Sequence, residues 1–500
     1  MGEIAKKGSL NTLILYAGTV LGAVNTILLY PKLLPEEEFG MVTLLVSISL
    51  LISGIGQFGS SSSIVKFLPF YQQKENNSTQ GLLLYLVGIS LAVSIIIIIL
   101  LLVFKGFFVS QYKNSAALIV EYYWAIFPLF ICILFNGFFS AYCIALHKPT
   151  FPAILNEVYL RVGQTGLIVL YFFNVIYFQG FIVGYISLYL SFLIYILIYL
   201  NRIGEFRFFE KIRLTVNEAL EVFRYGVYTL LSSIASSLSY KIDVLMIGAM
   251  IVSDLNANAG LRATAIYTVA LNMASMIEMP FRAMGSIISP KISEYWKSNE
   301  QDKINEIYVK TTEVMSVLGA YVYFGIWMCI DNIINVLPES YSEVKYVFFW
   351  LGLGKFFNII SGVNGQILIN SVYYKIFTVF TIISLFVTYG TNYVFITKWQ
   401  VDGAALATAI TYFLFNISIC VFLFRKYRFQ PFTKMNIIPI VLAGCLSLGF
   451  YNLFSFNDVV TIGLKFTGFS LIFWFIIIRF RVSTEITGFW DKVVVSRFWV

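Results

Sequence analysis

Long, uninterrupted apolar runs are the feature that most restricts what this 500-residue chain can fold into. A helix needs about 20 apolar residues to cross a bilayer. The runs are continuous and do not alternate apolar with polar residues, so they predict transmembrane helices and not barrel strands. Fourteen spans are predicted: 10–31, 40–59, 80–104, 118–145, 152–173, 178–200, 223–251, 262–288, 311–330, 346–371, 375–396, 402–424, 436–455 and 459–479.

The composition supports a membrane protein. Hydrophobic residues make up 59% of the chain and charged residues 12%, whereas soluble proteins carry about 25% charged residues. The predicted fold class is therefore an all-α polytopic membrane protein. The five cysteines all fall inside apolar runs without metal-type spacing, so we expect buried thiols and no disulfide framework.

The basic residues predict the orientation. If the N-terminus is cytoplasmic, 23 Lys and Arg residues lie in inner segments and 6 in outer segments. Cytoplasmic loops of membrane proteins are enriched in Lys and Arg, so both termini are predicted to be cytoplasmic. The net charge of +8 is then a topological bias, and no nucleic-acid partner is expected.

Weak internal matches indicate a duplication. Each pairs a site in the first half with one about 225 residues later: Phe39 to Val42 with Ala265 to Thr268, Gly59-Ser60 with Gly285-Ser286, Asn136-Gly137 with Ser361-Gly362, and Gln179-Gly180 with Asp402-Gly403. Because each repeat holds six spans, an even number, the two bundles insert the same way up and are related by a pseudo-two-fold axis along the membrane normal.

The predicted domains follow from this repeat. Residues 1–201 form an N-terminal six-helix bundle, 202–222 a charged cytoplasmic linker, and 223–430 a C-terminal six-helix bundle. Residues 431–482 add two further transmembrane helices, and 483–500 form a cytoplasmic amphipathic tail.

Several short motifs resemble those of one transporter family. They are LPEEEFG at 34–40, KIDVLMIG at 241–248, IY at 266–267, SPKIS at 289–293 and DGAALAT at 402–408. Together with the six-six-two span arrangement, they resemble the polysaccharide transporters. These are the O-antigen and lipid-linked oligosaccharide flippases of the multidrug/oligosaccharidyl-lipid/polysaccharide exporter superfamily.

That resemblance implies a function. Such a protein moves an undecaprenyl-pyrophosphate-linked oligosaccharide, an O-antigen or other surface polysaccharide repeat unit, from the inner to the outer leaflet by alternating access. The implied location is the bacterial inner membrane. The implied partners are the lipid-linked substrate, a coupling proton or Na⁺, and polysaccharide biosynthesis enzymes.

Charged residues inside the predicted spans identify candidate sites independently. They are Glu157, Arg161, Lys241, Asp243, Glu278, Arg282 and Lys355. Each would cost about 2.5–3.5 kcal/mol at a helix centre facing lipid, so they must face protein or water. The i,i+4 spacing lets Glu157 pair with Arg161 and Glu278 with Arg282, whereas Lys355 has no acidic neighbour in its own span.

These charges have a functional and a structural interpretation. The functional one is that Arg161, Lys241, Arg282 and Lys355 line a cleft and bind the substrate pyrophosphate, because partly dehydrated phosphates need fixed cations. Asp243, Glu278 and Glu157 are then the candidate ion-coupling carboxylates. The structural alternative is that they form pairs between helices, with Asp243 bridged to Arg161 or Lys355. Lys465, near the outer end of the last span, is expected to extend to the interface.

The remaining motifs narrow the function. No Gly-rich phosphate loop with Lys-Ser/Thr, zinc-type cluster or nucleophile elbow occurs, so we expect a transporter without cofactor and not an enzyme. Two alternatives stay open. One is a cation-coupled drug exporter of the same superfamily, disfavoured by the predicted span count. The other is a membrane-embedded glycan polymerase, disfavoured because all predicted outer loops are short.

Overall fold

The computed structural model describes residues 14–15, 17–72, 78–112, 116–204, 215–253, 258–453 and 458–491. Every regular element in those ranges is a helix, as the all-α prediction requires. The chain divides into two compact units, Met1–Thr268 and Val269–Val500. The predicted five-domain division is a finer statement and stays a prediction, and residues 205–214 of its linker lie outside the described residues.

The first unit contains eleven labelled α-helices in its described part. They are α1 (Tyr30–Leu33), α2 (Glu36–Gly56), α3 (Ser60–Gln72), α4 (Ser78–Val103), α5 (Lys105–Ser110), α6 (Ala116–Tyr122), α7 (Ile126–Ala145), α8 (Thr150–Ile154), α9 (Leu160–Phe172), α10 (Phe178–Arg202) and α11 (Val216–Met250). A π-helical segment, Val24–Leu29, precedes α1, and a second, Leu155–Tyr159, joins α8 to α9. Helix α12 (Ala259–Ser275) begins in this unit.

The core of the first unit lies around α2. This helix packs against α7 and α11, and α7 packs in turn against α10. The contacts are close where glycine occurs: a Cβ on Gly40 would overlap the carbonyl oxygen of Leu261, at the start of α12. Beside this contact the carboxylate of Glu37 pairs with the guanidinium of Arg262. The LPEEEFG motif therefore joins α2 to the start of α12.

The second unit contains the remaining helices. They are α13 (Met279–Lys297), α14 (Gln301–Met328), α15 (Ile330–Val336), α16 (Val344–Ile360), α17 (Asn364–Ile369), α18 (Tyr374–Tyr427), α19 (Lys434–Tyr451), α20 (Asp458–Arg479) and α21 (Thr484–Trp490). Two 3₁₀ turns, Met276–Glu278 and Glu339–Tyr341, interrupt this series. Its main packing contacts are α16 on α18 and α14 on α19.

A polar cluster attaches the last two long helices to this unit. The Lys465 Nζ on α20 donates hydrogen bonds to Asn332 Oδ1 at 3.0 Å and to the Tyr451 carbonyl at 2.6 Å. Lys345 Nζ donates to Asp331 Oδ1 at 2.6 Å and to the Tyr451 hydroxyl at 2.9 Å. Lys465 is only 4% exposed, so the expectation that it extends to the interface is wrong. Its ammonium is satisfied inside the protein by two oxygens.

The predicted spans coincide with helical segments wherever the structure describes them. Among the described residues, seven helices are long and apolar enough to cross a membrane. The pair α14–α15, bent by 54°, is an eighth candidate. Predicted spans 11 and 12 both fall within α18, whose backbone leaves helical geometry at Trp399 and Gln400. The chain is thus a multi-pass membrane protein, and the count of fourteen spans stays a prediction.

Several predicted spans contain irregular helix, and two of these irregularities adjoin candidate site residues. In span 5, Glu157 lies in the π-helical segment Leu155–Tyr159, just before Arg161. In span 8, Glu278 ends the 3₁₀ turn that precedes α13. Span 1 contains the other π-helical segment. Span 10 is broken between α16 and α17, where Gly362 adopts φ +62°.

The C-terminal segment is helical at its start. The Ser483 side chain accepts a hydrogen bond from the Ile486 backbone N–H and so caps α21. Lys310 on α14 forms an ion pair with Glu485 at 3.0 Å. Residues 492–500 of the predicted amphipathic tail lie outside the described residues, and its cytoplasmic location stays a prediction.

Candidate functional site

In the second unit, Glu278 lies at the centre of a buried polar group. Its Oε2 accepts hydrogen bonds from Lys355 Nζ at 2.9 Å and from an Arg282 guanidinium nitrogen at 3.4 Å. Its Oε1 accepts from Asn358 Nδ2 at 2.8 Å. The Lys355 ammonium also donates to the Tyr412 hydroxyl at 2.8 Å. We call these five residues the Glu278 cluster.

The members of this cluster differ in exposure. Lys355 is 1% exposed, and Glu278 is buried as well, whereas the Arg282 side chain is 52% exposed. Two cations meet the Glu278 carboxylate in this cluster, and of the two Arg282 is the one whose side chain is half exposed. A charged group buried as completely as Lys355 needs an oppositely charged partner. Arg282 is the cation of this cluster that can reach a ligand.

An amide chain extends the Glu278 cluster through the interior. Asn358 Oδ1 accepts a hydrogen bond from Asn416 Nδ2 at 3.0 Å, and Asn416 Oδ1 accepts from Asn364 Nδ2 at 2.9 Å. These residues belong to α16, α17 and α18, so the chain connects three helices across the break in span 10. The charge pattern of the sequence does not identify these asparagines. Amides inside apolar spans are a usable signal, because each needs an internal hydrogen-bonding partner.

Lys241 and Asp243 lie on α11 in the first unit. Asp243 is 5% exposed, and its Oδ2 accepts a hydrogen bond from the Tyr267 hydroxyl at 2.7 Å. Tyr267, on α12, is fully buried. Asp243 thus has a hydrogen-bonding partner on another helix. Lys241 is partly buried on the same helix.

Arg161 lies beside the first π-helical segment and makes few contacts to protein acceptors. One guanidinium nitrogen donates to Gln164 Oε1 at 3.5 Å, and Gln164 Nε2 donates to the Tyr185 hydroxyl at 2.8 Å. The guanidinium also interacts electrostatically with the hydroxyls of Tyr30, Tyr185 and Tyr189. We call Arg161, Gln164 and these three tyrosines the Arg161 cluster.

The predicted pair between Glu157 and Arg161 does not form. Glu157 Oε1 instead accepts a hydrogen bond from Asn156 Nδ2 at 3.0 Å. The reason is the π-helical geometry of Leu155–Tyr159, whose wider turn removes the i,i+4 alignment of an α-helix. By contrast, Glu278 and Arg282 do meet, as their spacing predicts.

Glycines let the helical segment at residues 17–23 approach the Arg161 cluster. A Cβ on Gly18 would overlap Glu157, and a Cβ on Gly22 would lie 3.2 Å from Arg161 Nε. Asn25 Nδ2 donates to the Arg161 carbonyl at 2.9 Å, and the Thr165 hydroxyl donates to Asn25 Oδ1 at 2.7 Å. The segment around Gly18 and Gly22 therefore packs directly on the segment that carries Arg161.

The predicted site residues are divided between the two units. Glu157, Arg161, Lys241 and Asp243 belong to the first unit, and Glu278, Arg282 and Lys355 to the second. The latter three are joined by ion pairs. Lining of one cleft by all four cations stays a prediction. Within the described ranges, no three His, Cys, Asp or Glu side chains gather in a way that could hold a metal ion.

Comparison with known sequences gives two matches. The pattern of the family described as "Polysaccharide biosynthesis protein" matches residues 4–296. A protein of Haloferax volcanii named "Probable low-salt glycan biosynthesis flippase Agl15" is 24% identical over 247 residues. That match covers 48% of this chain and 50% of the relative, so the aligned part spans about half the length of each protein.

Comparison with solved structures identifies similar folds. The lipid II flippase MurJ in an inward closed conformation aligns with a TM-score of 0.73 and 14% identity, covering 94% of this chain and 99% of that one. An inward-facing multidrug resistance transporter of the MATE family and MOP superfamily aligns with a TM-score of 0.61 and 15% identity, covering 88% and 99%. A MOP superfamily transporter from Pyrococcus furiosus aligns with a TM-score of 0.55 and 13% identity, covering 88% and 96%. At these identities the likeness concerns the fold, which is that of an all-helical transporter.

Proposed function

This chain belongs to the polysaccharide biosynthesis protein family, as the resemblance of its short motifs predicts, and from that premise we propose that it is a lipid-linked glycan flippase. The family match over residues 4–296 is the observation that carries the proposal. The relative named as a glycan biosynthesis flippase and the fold shared with a lipid II flippase support it. In this proposal the protein transports its substrate and does not change it chemically.

The proposed substrate is an undecaprenyl-pyrophosphate-linked oligosaccharide, moved from the inner to the outer leaflet. Its diphosphate carries several negative charges, which need fixed cations once water is partly excluded. Arg161, Lys241, Arg282 and Lys355 are the proposed contacts. The 52% exposure of the Arg282 side chain supports its role, whereas Lys355 would have to leave Glu278 before it could bind substrate.

The proposed mechanism is alternating access between two like-oriented six-helix bundles. Asp243, Glu278 and Glu157 are the proposed carboxylates for a coupling proton or Na⁺. Of these, Glu157 accepts a single amide hydrogen bond from its neighbour Asn156 and forms no ion pair with a described residue. Glu278 already accepts three hydrogen bonds, so a coupling ion there would have to compete with Lys355, Arg282 and Asn358.

The proposed location is the bacterial inner membrane, with both termini cytoplasmic. The basic residues of the predicted inner segments support that orientation. Polysaccharide biosynthesis enzymes are the further partners that this location and family membership suggest.

A cation-coupled drug exporter is the second candidate function. The fold similarity to MATE transporters favours it, because those structures also cover most of this chain. An exposed Arg282 and an Arg161 without a carboxylate partner among the described residues favour an anionic substrate instead.

Reconstitution into liposomes tests the proposal. Purified protein is incorporated together with a fluorescent undecaprenyl-pyrophosphate-linked oligosaccharide, and a membrane-impermeant quencher measures the fraction in the outer leaflet over time. We expect protein-dependent movement of this lipid but not of a fluorescent phosphatidylcholine, which serves as the substrate control. Repeating the assay with an imposed proton or Na⁺ gradient separates coupled from facilitated movement.

Drug accumulation in the same liposomes tests the alternative. Uptake of a cationic dye against its gradient, with no movement of the lipid-linked oligosaccharide, would reject the flippase in favour of the exporter. Movement of every lipid, including phosphatidylcholine, would also contradict a specific flippase.

A further inference from the structure

We propose that the Arg161 cluster is an oxyanion-binding site in the first unit, in which the Arg161 guanidinium and tyrosine hydroxyls donate hydrogen bonds to a phosphate or carboxylate group. This inference rests on the proposed function, because the anion would be part of the transported glycolipid. Of the four predicted substrate-binding cations, the inference selects Arg161. It adds Gln164 and the three tyrosines, which the charge pattern does not identify.

The Arg161 guanidinium has no counter-ion among the residues that the structure describes. Among the described residues it forms no ion pair, and its one recorded side-chain hydrogen bond is the 3.5 Å contact to Gln164. Its Nε is covered by protein yet has no hydrogen-bonding partner. A guanidinium carries five N–H donors, and donors left without acceptors in the interior cost free energy. An anionic ligand would provide an acceptor for the terminal nitrogens of the guanidinium.

Hydrogen bonds through Gln164 connect the Arg161 guanidinium to tyrosine hydroxyls. Gln164 presents its oxygen to Arg161 and its Nε2 to the Tyr185 hydroxyl, at 2.8 Å. The Tyr185 hydroxyl is also hydrogen-bonded to the hydroxyls of Tyr30 and Tyr189, so the three tyrosines form one network beside the guanidinium. Tyr30 and Tyr189 add two more hydroxyls near the same guanidinium. The cluster therefore offers donors and one positive charge, which is the arrangement that binds an oxyanion.

The tyrosines of the Arg161 cluster are held in place by packing before any ligand binds. Tyr30 and Tyr185 are 5% and 7% exposed. The Tyr30 ring stacks on Phe39 with centroids 4.8 Å apart, and the Tyr185 and Tyr189 rings lie 5.6 Å apart. Side chains held in place before binding lose little entropy when a ligand arrives. Arg161 itself is only partly buried, so a ligand can reach it.

The Glu278 cluster provides the contrast. Its Lys355 ammonium is bound to Glu278 and Tyr412 and is almost fully covered. A ligand anion at Lys355 would have to displace the Glu278 carboxylate, whereas at Arg161 it would displace no carboxylate of a described residue. The shared chemistry is an oxyanion, and its source in the substrate is either the pyrophosphate of the carrier lipid or the carboxylate of an acidic sugar.

Calorimetric titration of the purified full-length protein tests this site. The two probes are inorganic pyrophosphate and glucuronate, which separate the two sources. The variants are Arg161→Gln, Tyr185→Phe and, as a matched control, Arg202→Gln, which removes an exposed cation at the end of α10. We expect Arg161→Gln to weaken binding of the preferred probe at least tenfold, Tyr185→Phe several-fold, and Arg202→Gln not at all.

The outcomes distinguish this site from the proposed function. Equal binding by wild type and both cluster variants, or no binding of either probe by wild type, would overturn the site even if the liposome assay shows glycolipid movement. Loss of binding in Arg161→Gln without any glycolipid movement by wild type would support the site and reject the flippase. If Arg161→Gln does not fold, Tyr185→Phe decides, because it removes a single oxygen.

Discussion

At the scale of the residue, Lys355 shows how a charge is kept inside an apolar protein. Its ammonium donates to Glu278 at 2.9 Å and to Tyr412 at 2.8 Å, and the carboxylate receives two further donors. Losing one member of a buried ion pair is costly because the other is left uncompensated, whereas replacing both is often tolerated.

This pairing gives a double-mutant prediction. Lys355→Met alone leaves Glu278 buried beside Arg282 and Asn358, and we expect destabilisation by about 3–5 kcal/mol. Adding Glu278→Gln removes the uncompensated charge and should recover most of the lost stability. Thermal unfolding of the purified single and double variants measures the coupling. Additive losses in the double variant would show that the pair is not the unit of stability.

The same residues show what sequence reasoning could and could not reach. All seven intramembrane charges are visible in the sequence, and the i,i+4 pair Glu278–Arg282 forms as spaced. The partner of Lys355 could not be identified, because it lies 77 residues away and depends on which helices are adjacent. The tyrosines of the Arg161 cluster gave no signal in a chain with 32 tyrosines.

At the scale of the element, close packing and polar cross-links hold the helices in place. The boundaries of the apolar runs predicted the helices well, because burial in lipid requires long continuous segments. Local irregularities within the helices could not be predicted as well from the sequence. Pro280 and Gly362 are visible breakers near the 3₁₀ turn and the span 10 break, but nothing in residues 155–159 predicts a π-helix.

The contact at Gly40 predicts a strong steric effect. Gly40→Ala places a methyl group onto the Leu261 carbonyl, which must move together with the start of α12. We expect the free energy of unfolding to fall by about 1–3 kcal/mol, as for overpacked cores. Gly166→Ala on α9 is the control, since nothing lies within 4 Å of its Cβ position. Yield of monodisperse protein and Tm measure both, and equal values for the two variants would contradict this packing.

The cluster around Lys465 predicts how α20 is attached. Lys465→Met removes hydrogen bonds to Asn332 and to the Tyr451 carbonyl and leaves two partly buried acceptors without this donor. We expect a loss of about 1–3 kcal/mol, seen as a lower Tm. Lys434→Met, an exposed lysine at the start of α19, should have no such effect. An unchanged Tm for Lys465→Met would mean that the cluster contributes little.

At the scale of the whole molecule, the boundary between the two compact units falls within the sequence of α12, between Thr268 and Val269. Contacts assign α11 to the first unit, where it packs on α2. The predicted duplication, the domain bounds and the fourteen-span topology rest on repeats and on charge counts. Neither indicates which helices pack together, since packing depends on side-chain shape across distant segments.

Cysteine labelling tests the predicted topology. In a background without native cysteines, Val175→Cys lies in a predicted outer loop and Ser298→Cys in a predicted inner loop, and both positions are exposed. A membrane-impermeant maleimide applied to intact cells should modify position 175 only, and position 298 after permeabilisation. The opposite pattern would invert the orientation, and modification of both would mean that the span count is wrong.

The orientation of the Gln164 amide has one more consequence. Its oxygen lies toward Arg161 and its nitrogen toward Tyr185, so Gln164→Glu would replace a neutral donor with a second oxygen and give the guanidinium a permanent internal counter-charge. Pyrophosphate titration should then show affinity lost as completely as in Arg161→Gln, although the arginine is still present. Exchange of an amide nitrogen for an oxygen would thus convert a cluster that recruits its anion from outside into one that supplies its own.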